Sequence, residues 1–243
     1  MNHLDVAKKV VADRHGQAIA AFWAGSLSRG EGTPTSDIDL VIVHPRLAHA
    51  WRDSFRVEGR LCETFVHDVD SLTVFYGKDT ERGVPTLMRM VAEGVSLIDG
   101  EACGRLQSDA QRLLVAGPPE WTRDEVDRSR YFANDLIDDL AGSDSADETR
   151  SIAATLFAHA FTHHRRMNGK WGATGKHVVR TLLREEGALG LAYLSAFEQV
   201  FVTADPTEVV HIVKEIYAPC GGLLETWRSD APPHRSSPPS PSR

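Results

Sequence analysis

Residues 21–43 read Ala21-Phe22-Trp23-Ala24-Gly25-Ser26-Leu27-Ser28-Arg29-Gly30-Glu31-Gly32-Thr33-Pro34-Thr35-Ser36-Asp37-Ile38-Asp39-Leu40-Val41-Ile42-Val43. Two apolar runs are joined here by a polar, glycine-rich loop. Side chains two apart on a strand share a face, so Asp37 and Asp39 are expected to project together from the start of the second run. Adjacent carboxylates repel unless a divalent cation neutralises them, and Mg²⁺ takes such oxygen ligands while sharing itself with substrate phosphates. Upstream, Gly25 permits close approach of the backbone to a ligand. Ser26 adds a hydroxyl beside main-chain N–H groups suited to a phosphate. The stretch reads as a site for a metal-bound nucleotide.

Before it, Leu4, Val6, Ala7, Val10, Val11 and Ala12 lie opposite Asp5, Lys8, Lys9, Asp13 and Arg14, which predicts an amphipathic helix within residues 4–20. Residues 17–23 predict the first strand and 40–43 the second. Glycines 25, 30 and 32 with Pro34 exclude a regular helix across the whole intervening loop, leaving room for a short one after Gly25-Ser26. Pro45 ends the second strand, and residues 47–55 are expected as a short helix or an excursion. Alternation over residues 56–68 predicts a third strand with Glu63 at its middle. A helix capped by Asp70 or Ser71, a helix over 84–93, a short last strand over 95–100 and a helix over 101–115 follow.

Gly117-Pro118-Pro119 breaks the pattern, and beyond it the character is helical: 120–141, 149–167, 176–184, 188–202 and 206–228. The expected organisation is a domain over 1–117, a helical bundle over 118–228, and a proline- and serine-rich disordered tail over 229–243. The loop 168–175 precedes Lys176, but its glycine spacing is too short for a P-loop. His163 and His164 are adjacent on a helix and point in different directions, so they read as a polar face or acceptor-site lining rather than a metal pair. Trp121 and Trp171 read as core.

The chain of 243 residues carries a net charge of −7, with 42% hydrophobic and 25% charged residues. That balance suits an ordinary globular protein and disfavours the broad basic surface of a nucleic-acid binder. Cys62, Cys103 and Cys220 are odd in number and widely spaced, which suggests neither a disulfide framework nor a zinc ribbon. The first ten residues lack the apolar core of a signal peptide, and no apolar run approaches the ~20 residues of a membrane span. A cytoplasmic protein is expected.

The order Gly25-Ser26, a variable loop, then Asp37-x-Asp39 in an apolar strand resembles the nucleotidyltransferase superfamily that includes DNA polymerase β. In domain order the chain is most similar to the antibiotic (aminoglycoside or lincosamide) nucleotidyltransferases. The resemblance implies an α/β (α+β) fold: a small mixed sheet flanked by helices, then an all-helical C-terminal domain. It implies two Mg²⁺ ions and transfer of a nucleoside monophosphate, expected to be AMP from ATP, onto an acceptor hydroxyl. Asp37 and Asp39 would ligate metal. Glu63 would be the third carboxylate and take the acceptor's proton, provided the register holds, since a slip of one residue turns it to the opposite face. Asp68 and Asp70 are the next choices. Gly25, Ser26, Arg29 and Ser36 are expected against the triphosphate, with Lys176 reaching it from the helical region. The acidic net charge favours a cationic, aminoglycoside-type small-molecule acceptor. The alternatives are a partner protein as acceptor, as in a toxin–antitoxin pair, or a non-catalytic nucleotide-binding regulator.

Overall fold

A computed structural model describes residues 1–230, so most of the tail expected over 229–243 lies outside the described residues. Contacts divide the chain into two compact units, Met1–Glu120 with His164–Glu185, and Trp121–His163 with the residues from Glu186 onward.

In the first unit, α1 (His3–Arg14) starts at a reciprocal Asn2–Asp5 capping box and buries Val6, Ala7, Val10 and Val11. Next come β1 (Ala20–Ala24), the single turn α2 (Gly25–Ser28) and β2 (Ile38–Val43). Five of the six β2 residues are buried, because helices cover both of its faces; hence the unbroken apolar run in the sequence. Strands β3 (Trp51–Val57) and β4 (Arg60–His67) form a hairpin around Glu58-Gly59, both with positive φ (51° and 75°). This corrects two expectations. Residues 51–55, expected in a short helix or an excursion, belong to strand β3, and the single strand expected over 56–68 is divided, its first residues ending β3 and the rest forming β4 from Arg60. A two-residue turn with both residues left-handed matches the twist of the strands it joins, and glycine at its second position removes the steric cost.

Helix α3 (Val69–Arg82) is capped by Asp68, not by Asp70 or Ser71. The Asp68 carboxylate accepts from the N–H groups of Ser71 and Leu47, both at 2.9 Å. Then follow α4 (Thr86–Ala92), β5 (Val95–Ser96) and α5 (Glu101–Ala116). The sheet order is β3-β4-β2-β1-β5, with β2 and β4 parallel and every other pair antiparallel. One face packs Ala21, Ile38, Leu40, Ile42, Cys62 and Val66 against α1. The other packs Phe22, Val41 and Val43 against Leu72, Met88, Val91 and Leu106.

Downstream lie α6 (Arg123–Gly142), α7 (Ala146–Met167), α8 (Lys176–Glu185), α9 (Gly187–Thr203), α10 (Thr207–Tyr217) and a 3-10 turn, Ala218–Cys220. The loop before α8 belongs to the sheet-bearing unit. Trp171 is buried in the second core with its indole Nε1 donating to the Leu114 carbonyl at 2.8 Å, and the Gly172 N–H donates to the Gly83 carbonyl at 2.7 Å.

The second unit is helical. Its core contains Ile137, Leu140, Leu156, Phe161, Tyr193, Phe197, Val213 and Tyr217. His163 is fully buried there, stacked on Tyr217 and 3.0 Å from the Ser129 hydroxyl. The helix expected to run to residue 228 stops at Tyr217. Pro219 has no N–H to donate and Gly221 and Gly222 take positive φ (98° and 78°), which ends the helix. Among the described residues no helix is long and apolar enough to cross a membrane.

Candidate active site

Parallel pairing of β2 with β4 sets Asp39 directly beside Glu63. Partners in a ladder share a face, so the register that Glu63 requires is the one the chain adopts. Asp37 precedes β2 by one residue, and a carboxylate oxygen from each of Asp37, Asp39 and Glu63 lies within 4.8 Å of the others. The same strand face carries Val41 and Val43 into the core beneath α3–α5, so the carboxylates occupy the end of a face whose remainder is apolar. Asp39 is pushed up to about 6, first by burial and then by the charges of Asp37 and Glu63. Asp68 and Asp70 are not in this group. Asp68 is held well down, at about 2, by the N–H and hydroxyl of Ser71 and the N–H of Leu47, while Asp70 sits exposed in the first turn of α3.

Gly25 has φ of 77°, and a Cβ built on it would collide with the Asp39 carboxylate. The turn leaving β1 can therefore pass the acidic cluster only as glycine. Ser26 is buried, and its hydroxyl donates to Ser36 Oγ at 3.2 Å, while Ser36 Oγ accepts from the Thr33 N–H at 2.9 Å. These two serines brace the loop between β1 and β2.

Gly25, Arg29 and Asp39 line a cleft of about 650 Å³ within the first unit, together with Arg52, Phe65, Val84, Met90, His177 and Arg184. The lining mixes carboxylates (Asp39, Glu93, Glu185), guanidinium groups (Arg29, Arg52, Arg89, Arg184) and apolar side chains. Lys176, the first residue of α8, is near enough for its charge to act on Asp39. His177 is held below its usual range, first by burial and then by the positive charges of Arg180, Arg29, Lys176 and Arg89.

Two groups of cleft residues escaped the sequence reading. Arg52 donates from Nη2 to Glu63 Oε2 at 2.6 Å and lies over the Phe65 ring, 4.9 Å from its centroid. It is diagonal to Glu63 across the hairpin, a relation invisible when residues 47–55 are expected as a short helix or an excursion. Arg180 and Arg184 follow Lys176 at intervals of four, which places all three along one side of α8, away from the buried Val178, Thr181 and Leu182. That i, i+4, i+8 basic stripe was the available signal.

The donor set fits a hard divalent cation: three carboxylates with converging oxygens, partly desolvated, and repelling one another enough to perturb Asp39.

Residues 4–87 match the nucleotidyltransferase domain family. The matched span runs from α1 into α4 and holds Gly25, Ser26, Asp37, Asp39 and Glu63; Lys176 lies outside it. Among solved structures, the chain is similar to a nucleotidyltransferase-like protein from Exiguobacterium sibiricum, at 10% identity and a TM-score of 0.45, covering 90% of this chain and 75% of that one. No curated protein matches the sequence.

Proposed function

We propose that the chain transfers a nucleoside monophosphate, AMP from ATP, to a hydroxyl of a small-molecule acceptor, with an aminoglycoside-type polycation as the acceptor class. The observation that carries this reading is the pairing of Asp39 with Glu63, with Asp37 close by, at a cleft that Asp39 lines together with Arg29, Arg52, Arg89 and Arg184. The family match over residues 4–87 supports it, and the net charge of −7 supports the acceptor class.

Asp37, Asp39 and Glu63 would hold divalent metal. Bound there, the metal supplies positive charge to the α-phosphoryl and the acceptor oxygen, which is where negative charge grows. The protein's own groups do the positioning. Arg29 and Lys176 bind the β- and γ-phosphates, Gly25 lets the backbone pass close to them, and Ser26 and Ser36 keep that loop in shape. Glu63 accepts the acceptor's hydroxyl proton as its oxygen attacks the α-phosphorus. The bond from that phosphorus to the bridging oxygen breaks, and pyrophosphate leaves with the electron pair. Arg52 fixes the Glu63 side chain through the Nη2–Oε2 bond.

Pyrophosphate release from the four NTPs with Mg²⁺, screened against aminoglycosides, lincosamides and candidate proteins, tests the reading. Asp37→Asn is expected to lower turnover by at least about a hundredfold, the scale at which lost electrostatic stabilisation acts. Turnover unaffected by that change would remove the reading.

A further inference from the structure

Beside the cleft, a carboxylate that the transfer chemistry does not use is held by arginines, two of which line the cleft. Glu31, in the loop between α2 and β2, is ion-paired with Arg29 Nε at 3.5 Å, Arg180 Nη1 at 3.2 Å and Arg184 Nη1 at 3.6 Å. Arg29 also reaches Glu93 at 3.8 Å. Charge-assisted bonds between guanidinium and an oxyanion close to about 2.7–2.9 Å when the partners match. None of these contacts does so. Three guanidinium groups share two carboxylates, Glu31 and Glu93, which leaves surplus positive charge near the His177 ring, held below its usual range first by burial and then by Arg180 and Arg29 among its cationic neighbours.

We propose that Arg29, Arg180 and Arg184 form a polyphosphate subsite, and that Glu31 is an internal anion which keeps them gathered until a phosphate chain displaces it. The identification of that chain as a nucleotide's β- and γ-phosphates rests on the function proposed above; the subsite itself does not. Exposure permits the exchange, since the side chains of Glu31, Arg29, Arg180 and Arg184 are 35%, 31%, 30% and 52% accessible. Ion pairs this open to water are weak, so a multiply charged phosphate chain outcompetes one carboxylate. The Glu31 main chain is fixed separately, its N–H donating to the Ser26 carbonyl at 2.9 Å. The carboxylate can swing away without moving the loop.

The test is calorimetric titration of the full chain with inorganic tripolyphosphate in the absence of divalent metal. Glu31→Gln is expected to tighten binding about fivefold, because the competing charge is gone. Arg180→Ala and Arg184→Ala are each expected to weaken it about tenfold or more. The gain from Glu31→Gln should vanish when both arginines are also replaced. Glu31→Asp keeps the charge on a shorter arm, so it should fall between wild type and Glu31→Gln; it is the second variant should Glu31→Gln fold poorly. An unchanged or weaker affinity in Glu31→Gln, arginine variants that bind like wild type, or a wild-type chain that ignores tripolyphosphate would each overturn the proposal. Metal-dependent turnover of NTPs is a separate readout, so the subsite and the transfer reaction stand or fall independently.

Discussion

At the scale of single residues the site depends on Gly25 and Asp39. Gly25 combines a left-handed backbone with a path that leaves no room for a Cβ beside Asp39. Gly25→Ala is expected to cost about 1–3 kcal/mol in urea unfolding and to weaken divalent-metal binding, because relieving the collision moves the Asp39 carboxylate. A variant with wild-type stability and metal affinity would contradict the assignment. Asp39 adds a pH dependence. Its native value of about 6 lies above the ~3.9 of an unfolded aspartate, so between those values the native state binds more protons than the unfolded one. The metal-free protein is therefore expected to lose stability as pH rises through that window. A bound cation offsets the same repulsion, so Mn²⁺ should raise the melting temperature more at pH 7.5 than at pH 5.0. At a hundredfold excess over its dissociation constant the rise at the higher pH is about 5–10 °C. Equal shifts at both pH values in a thermal melt would sink this point.

At the scale of elements, α4 has no side-chain cap of its own because Pro85 occupies its N-cap. Buried Asp79 of α3 serves instead, accepting from the Leu87 N–H at 2.7 Å and the Met88 N–H at 3.2 Å while bonding Arg82. Asp79→Ala would leave these buried donors unpaired, an expected loss of about 2–4 kcal/mol measured by chemical denaturation. A loss below about 0.5 kcal/mol would mean that water replaces the cap. What could be read from sequence divides along similar lines. The Gly25-Ser26 turn, the Asp37-x-Asp39 face and the helical stripes are short-range patterns, so their periodicity announces them. Residues 51–55 do not announce a strand because one face of β3 is largely exposed and carries Arg52, Ser54 and Arg56, which weakens the signal. The Asp68 cap was missed for a different reason. Asp68, Asp70 and Ser71 are all capping residue types within four positions, so the sequence offers three starts for one helix.

At the scale of the whole molecule, the sheet and its flanking helices were legible from order and composition, whereas the membership of the units was not. Residues 164–185 return to the sheet-bearing unit through Trp171 and Gly172, contacts with Leu114 and Gly83 that no local pattern encodes. That return brings Lys176 near enough for its charge to act on Asp39, sets Arg184 on the cleft that Asp39 also lines, and pairs Arg180 and Arg184 with Glu31. The acidic half of the site was thus visible as a motif, and of its cationic half Arg29 and Lys176 were expected, whereas Arg52, Arg180 and Arg184 were not. The central claim is that the three carboxylates hold divalent metal against a nucleotide's phosphates. It is tested most directly by Mn²⁺ titration, followed by electron paramagnetic resonance, with and without a non-hydrolysable ATP analogue. Wild type is expected to bind Mn²⁺ more tightly when the analogue is present, and Asp37→Asn/Asp39→Asn to lose that binding by about a hundredfold or more. Equal Mn²⁺ uptake by the two proteins would contradict the claim.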